Sequence, residues 1–241
     1  MIDSRPVPLL VGLGLAMAFQ TAWLIGAIRA GNRDRAFSLP LVCTFLWFAH
    51  DFGYVVRLPH WIATYDHWWV YLFWLGMLSA LVLEVFFFAQ ILQFGRAEIA
   101  PTLSQNGFRL LIAAGATGAV IGWEYLRVLF GDPLYLASSS LTLLSYALFG
   151  PALLLRRHGR RGQTLFMWGN FTAMTATWWV TTCVFLAPIF LSWQYVAVGV
   201  FTFAVGVAMI ALLRRDDQWP TVSADHPRGG SVSTAFGEFR I

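Results

Sequence analysis

Lysine does not occur in this chain of 241 residues, so all 16 of its strongly basic side chains are arginine. A retinal protein needs a lysine amine for its Schiff base, and a P-loop nucleotide-binding site needs the lysine of G-x-x-x-x-G-K; neither chemistry is available. Charge of either sign is scarce: 12% of residues are charged and 58% hydrophobic, against roughly 25% charged in an ordinary soluble domain. That balance excludes a soluble globular protein. Cysteine is limited to Cys43 and Cys183, both inside apolar runs and far from any C-x-x-C or Cys/His spacing, which makes them small buried hydrophobes. There is no Asp-Asp-x-x-Asp, Asp-x-Asp-Asp, H-E-x-x-H or G-x-S-x-G. The sequence therefore argues against a metal-dependent prenyl diphosphate enzyme, a zinc protease and an ordinary serine hydrolase. No metal, cofactor or nucleic-acid partner is expected.

Long apolar runs fill the space that charge leaves. A helix crossing a hydrocarbon layer of about 30 Å needs about 20 mostly apolar residues. Breaks at Arg, Gly, Pro and Asn divide the chain into seven such stretches, at about 6–28, 37–56, 68–92, 108–130, 134–155, 164–187 and 189–213. The sequence thus predicts an all-α membrane bundle of seven helices over residues 1–213, followed by a polar, disordered tail over 214–241. The first run is too long for a cleaved signal and is read as a retained span. Arginines 29, 33, 35, then 96 and 109, then 156, 157, 160, 161, then 214 and 215 fall in alternate connections. These connections are expected on the cytoplasmic side, with the N-terminus outside and the C-terminus inside. The aromatic, polar stretch from His60 to Tyr71 suits an outer headgroup belt or a short interfacial helix. Ala114, Gly118 and Gly122 have the spacing of a closely packed helix face, and the threonines of span six that of a packing stripe. No inverted repeat of the transporter kind is visible. All-arginine usage points to a high-GC genome and a bacterial cytoplasmic membrane.

Ionisable groups at the depth of the hydrocarbon core are costly, so each is a functional candidate. Asp51, Glu84 and Glu124 qualify. At helical rise, Asp51 and Glu124 fall about 21 and 24 Å from the cytoplasmic ends of their spans and Glu84 about 12 Å. On that estimate Asp51 and Glu124 share the outer half of one cavity and Glu84 lies toward its floor. Trp47 and Tyr54 share the Asp51 face, with His50 and Arg57 at its edge. Glu124 stands beside Trp123 and one turn from Arg127, a spacing that suits either a catalytic acid or a structural ion pair. Glu84 has no cation within a turn, so burial favours its neutral, hydrogen-donating form. Span six adds Asn170 and Trp178. Protonatable acids beside many aromatic faces suit chemistry through a carbocation, in which an acid begins the reaction and rings stabilise the moving charge.

The stretch Pro40–Arg57, with His50-Asp51-Phe52-Gly53-Tyr54, resembles the second-span signature of the integral-membrane terpene cyclases of meroterpenoid and indole-diterpene biosynthesis. Phe73-Trp74 through Glu84 to Gln93-Phe94-Gly95-Arg96 resembles that family's third span, and Arg160-Arg161-Gly162-Gln163-Thr164 its entry into span six. The resemblance implies a seven-helix fold that cyclises a lipophilic polyprenylated substrate, often epoxidised, by protonation without a metal. Asp51 would be the acid, supported by Glu84 or Glu124. Trp47, His50, Tyr54, Trp74, Trp123, Arg127, Asn170 and Trp178 would line the substrate cavity. Two departures stand out: span seven lacks the family's second acid, and Asp replaces Glu in span two. Two other readings stay open, a small proton or cation transporter using the same carboxylates and a non-catalytic lipid-binding protein.

Overall fold

A computed structural model describes residues 6–65, 67–132 and 135–215, and these are helical almost throughout, with no strand among them. The order is α1 (Pro6–Asp34), α2 (Leu41–Val55), α3 (Leu58–Tyr65), α4 (Trp68–Gln90), a π-helical turn (Ile91–Gly95), α5 (Arg96–Ile99), α6 (Gln105–Phe130), α7 (Ser139–Arg157), α8 (Leu165–Phe185), a 3-10 turn (Pro188–Leu191) and α9 (Trp193–Arg214). Four helical stretches are long and apolar enough to cross a membrane, and five if α2 and α3, bent by 54° at a short break, count as one. Helices α6 and α8 occupy the remaining predicted stretches. The arginines and Glu124 of α6, and the threonines and tryptophans of α8, lower their hydropathy. The polar tail expected from residue 214 lies, past Arg215, outside the described residues.

The outside of the bundle is apolar: Leu110 and Ile121 on α6, Phe86 on α4, Val180 on α8 and Val200 on α9 all stand exposed. In water such a surface would aggregate; it is the exterior of a membrane protein. Helix α2 runs through the middle, packed against α4, α6 and α7, while α8 packs between α1 and α9. Position, more than composition, therefore buries Trp47, His50, Asp51 and Tyr54.

Glycine makes the tightest crossings. A Cβ on Gly199 of α9 would collide with the Trp179 ring of α8, and one on Gly12 of α1 with the Thr181 side chain. On α6 the small residues do not act this way. Ala114, Gly118 and Gly122, expected on a packed face, are exposed, and nothing lies within 4 Å of a Cβ built on either glycine. Phe45 of α2 instead approaches Gly115, whose built Cβ would be 2.5 Å from the ring. A four-residue spacing of small side chains identifies a smooth stripe but not the direction in which it points.

One end of the bundle is tied by arginine. Arg157 donates to Glu98 at 2.9–3.2 Å and to the Phe37 carbonyl at 2.9 Å, with its guanidinium 4.3 Å above the Phe37 ring. Arg156 also pairs with Glu98, Arg161 donates to the carbonyls of Asp34 and Arg35, and Arg160 to that of Leu213. Gly162, at φ +75°, turns its N–H onto the Asp34 carboxylate at 2.8 Å. A side chain there would be strained and would meet the Phe37 carbonyl. Just inside, Gln163 accepts from Trp168 Nε1 at 2.8 Å and Tyr146 O–H at 3.2 Å and donates to the Ser38 carbonyl at 2.7 Å.

Candidate functional site

His50 and Asp51 are 3% and 2% exposed, and their side chains meet at 2.6 Å, His50 Nδ1 to Asp51 Oδ1. The other ring nitrogen, Nε2, lies 3.0 Å from the carbonyl oxygen of Tyr135. A carbonyl only accepts, so Nε2 carries a hydrogen and donates it. The rings of Trp123 and Tyr135 stand nearly perpendicular to the imidazole, at centroid distances of 5.5 and 5.6 Å, and hold its plane. Tyr135 itself sits at φ +59°, in the left-handed region where a bulky residue is strained. That backbone turn aims its carbonyl at His50.

On α4, which packs against α2, Glu84 is 1% exposed and its carboxyl is an electrostatic neighbour of that of Asp51. Neither Asp51 Oδ2 nor either Glu84 oxygen has a hydrogen-bond partner among the described residues. Two carboxyl groups facing each other without a donor need a proton between them. Glu84 thus joins Asp51 directly. The depth estimate had separated them because apolar runs are not helix ends. Helix α2 begins at Leu41, about 15 Å below Asp51, while α4 runs on through the π turn to Ile99, leaving Glu84 about 22 Å from that end. Both carboxyls are buried inside the bundle.

Glu124 belongs to a different cluster. Arg57 and Arg127 both donate to its Oε2, the latter at 3.1 Å, and Tyr135 O–H donates to Oε1. Two guanidiniums and a phenol take up its oxygens as a structural ion-pair cluster. Gly53 permits the approach, since a Cβ there would lie 3.0 Å from both Glu124 Oε1 and Tyr135 Oη. Tyr135 joins the two clusters mechanically, its carbonyl on His50 and its hydroxyl on Glu124.

A cavity of about 60 Å³ opens beside His50 and Asp51, lined by side chains of α1, α2, α4, α7 and α8. Since a single water needs roughly 10–15 Å³, this is room for a few waters or the end of a slender chain. Of the acids among the described residues, Asp51 alone lines it. Trp47, Phe73 and Trp178 supply aromatic walls, Met17, Met77 and Met174 flexible ones, and Gln20, Ser139 and Thr142 a polar edge. Trp47 Nε1, in a side chain 3% exposed, has no hydrogen-bond acceptor.

Of the residues expected around a cavity, Trp47, His50, Asp51 and Trp178 therefore line it. Tyr54 instead stacks on Trp61 at 5.1 Å, Trp74 Nε1 donates to the Val55 carbonyl at 2.9 Å, Trp123 supports His50, Arg127 serves Glu124, and Asn170 donates to Phe166 O at 2.8 Å. Gln20, Phe73, Ser139, Thr142 and the methionines were missed. A glutamine inside an apolar span was a signal for the first; the others resemble any membrane-helix residue until the helices are assembled.

The fold and its apolar exterior define an all-helical membrane protein with a buried acidic site. Comparison with protein-family models, with curated proteins and with solved structures returns no match for this chain.

Proposed function

We propose that this protein is a membrane-embedded terpene cyclase in which Asp51 protonates the end of a polyprenylated substrate, an olefin or an epoxide, and so starts a carbocation cyclisation. The observation that carries the reading is the placement of Asp51. It is a buried acid with one oxygen held by His50, exposed to a cavity walled by Trp47, Phe73 and Trp178. Protonation of the olefin forms a C–H bond and leaves a tertiary cation; on an epoxide it forms O–H and breaks C–O to the same kind of cation. The neighbouring double bond supplies the electron pair that closes the ring, and loss of a proton ends the sequence, so the product is an isomer of the substrate. Aromatic faces stabilise the intermediate cations by about 0.5–2 kcal/mol each. The cavity accommodates the reacting end of a chain, and its three methionines, unbranched and readily repacked, are the walls that yield to a longer one.

The same reading takes α1, α2, α4, α6, α7, α8 and α9 as seven spans, with the N-terminus outside and the arginine-tied end in the cytoplasm of a bacterium. Support comes from the gathering of Arg156, Arg157, Arg160 and Arg161 with Asp34 and Glu98 at one end of the bundle. A competing reading, passage of protons or cations, is favoured by the polar edge at Gln20, Ser139 and Thr142, where a few waters fit.

The test is conversion of polyprenylated aromatic or indole substrates, with and without a terminal epoxide, by cells expressing the protein, followed by mass spectrometry and NMR. Wild type is expected to give an isomeric cyclised product, reduced roughly 10²–10⁴-fold in Asp51→Asn, the usual contribution of a positioned acid. Equal conversion by folded Asp51→Asn overturns the assignment. Carboxylate-dependent ion flux in proteoliposomes without any covalent change in a substrate replaces it with transport.

A further inference from the structure

The buried set His50, Asp51 and Glu84 obeys a simple proton count. Nε2 of His50 keeps its hydrogen on the Tyr135 carbonyl. One proton fits between Nδ1 and Asp51 Oδ1 at 2.6 Å, and the buried, unpartnered oxygens of Asp51 and Glu84 call for one more. With both protons the set is neutral, as imidazolium, carboxylate and carboxylic acid. With one fewer it carries a net negative charge in a site that is 1–3% exposed, which low-dielectric surroundings resist. Arg57 and Arg127 are committed to Glu124, and besides Asp51 the charged group that acts on His50 is the carboxylate of Asp132. Neutrality therefore rests on the protons themselves.

We propose that Glu84 is the positioning and proton-holding partner of Asp51: the two carboxyls share one proton across the α2–α4 contact, while His50 fixes the opposite oxygen of Asp51. Glu84 does not line the cavity, so it acts through Asp51. When Asp51 gives its proton to a substrate carbon or epoxide oxygen, the proton of Glu84 passes to Asp51 Oδ2. The three residues are left with one net negative charge facing the substrate cation. The proton released when the last cation collapses balances the one withdrawn, so no co-reactant is consumed. This consequence for turnover rests on the cyclase reading; the shared proton does not.

The test is infrared spectroscopy of the full chain in lipid nanodiscs at neutral pH, which needs no substrate. A protonated carboxyl shows its own carbonyl stretch, distinct from that of a carboxylate and lowered in D2O. Wild type is expected to show this band, Glu84→Gln to lose it, Glu84→Asp to keep it, and Asp51→Asn to keep it at a shifted frequency because Glu84 has a new neighbour. Absence of the band in wild type, its persistence in Glu84→Gln, or an unshifted band in Asp51→Asn overturns the proposal. Should Glu84→Gln fail to fold, by circular dichroism and gel filtration, the Asp51→Asn shift decides. The two readings fail separately. Product formation that needs Asp51 alongside a band indifferent to Glu84 refutes the shared proton alone, and the expected bands without any product refute the cyclase alone.

Discussion

Replacing Glu124 by glutamine separates the two acidic clusters most sharply. The substitution keeps the shape of the side chain and an acceptor for the Tyr135 hydroxyl, but removes the negative charge facing Arg57 and Arg127. Breaking a fully buried ion pair costs about 3–5 kcal/mol, and an exposed one contributes about 0–1. The side chains here are 27% exposed for Glu124, 29% for Arg57 and 20% for Arg127, which places the pairs between those limits. With two guanidiniums left without their carboxylate, the expected loss is about 2 kcal/mol. Reversible unfolding by SDS titration in mixed micelles measures it. A double-mutant cycle with Arg57→Gln should return a coupling of about 1 kcal/mol, as residues in one ionic network do. Cyclisation that depends on Asp51 should survive in Glu124→Gln at temperatures where the protein stays folded. Stability within about 0.5 kcal/mol of wild type, together with lost conversion, would refute the reasoning and place Glu124 in the chemistry.

Two further substitutions test the packing. Gly199→Ala should destabilise by roughly 1–3 kcal/mol, because its methyl group displaces the Trp179 ring, whose Nε1 donates to the Tyr195 carbonyl at 2.9 Å. Gly118→Ala, with nothing within 4 Å of the added carbon, should change stability by no more than about 0.5 kcal/mol. If the two rank the other way in the same SDS titration, α6 packs through its small-residue stripe after all. Gln163→Leu should lose about 3 kcal/mol, since it orphans the Tyr146 hydroxyl, the Trp168 indole N–H and the Ser38 carbonyl together. A thermal midpoint unchanged in that variant would contradict the role given to Gln163.

Sequence by itself determined the class of structure. Lysine-free, charge-poor apolar runs have one stable solution in a membrane, the helix, because every backbone N–H and C=O must be satisfied within the segment. Helices of the described residues overlap each of the seven apolar runs, although only four, or five with the bent α2–α3 pair, are long and apolar enough to cross a membrane. Sequence also selected Asp51, Glu84 and Glu124, since a carboxyl in such a run needs a reason to be there. Partnership among the three was beyond it. Which acid meets which depends on helix offset, and offset was set by features without a hydropathy signal: the start of α2 at Leu41, the continuation of α4 through a π turn, and the crossing at Gly53 that admits Glu124 and Tyr135. The carbonyl of Tyr135 that fixes the His50 tautomer is a backbone atom in a left-handed turn, present in every residue type and therefore invisible in a string of letters. Tertiary structure decided the site because hydrogen bonds form over about 3 Å, whereas periodicity locates a side chain only to within a turn of helix.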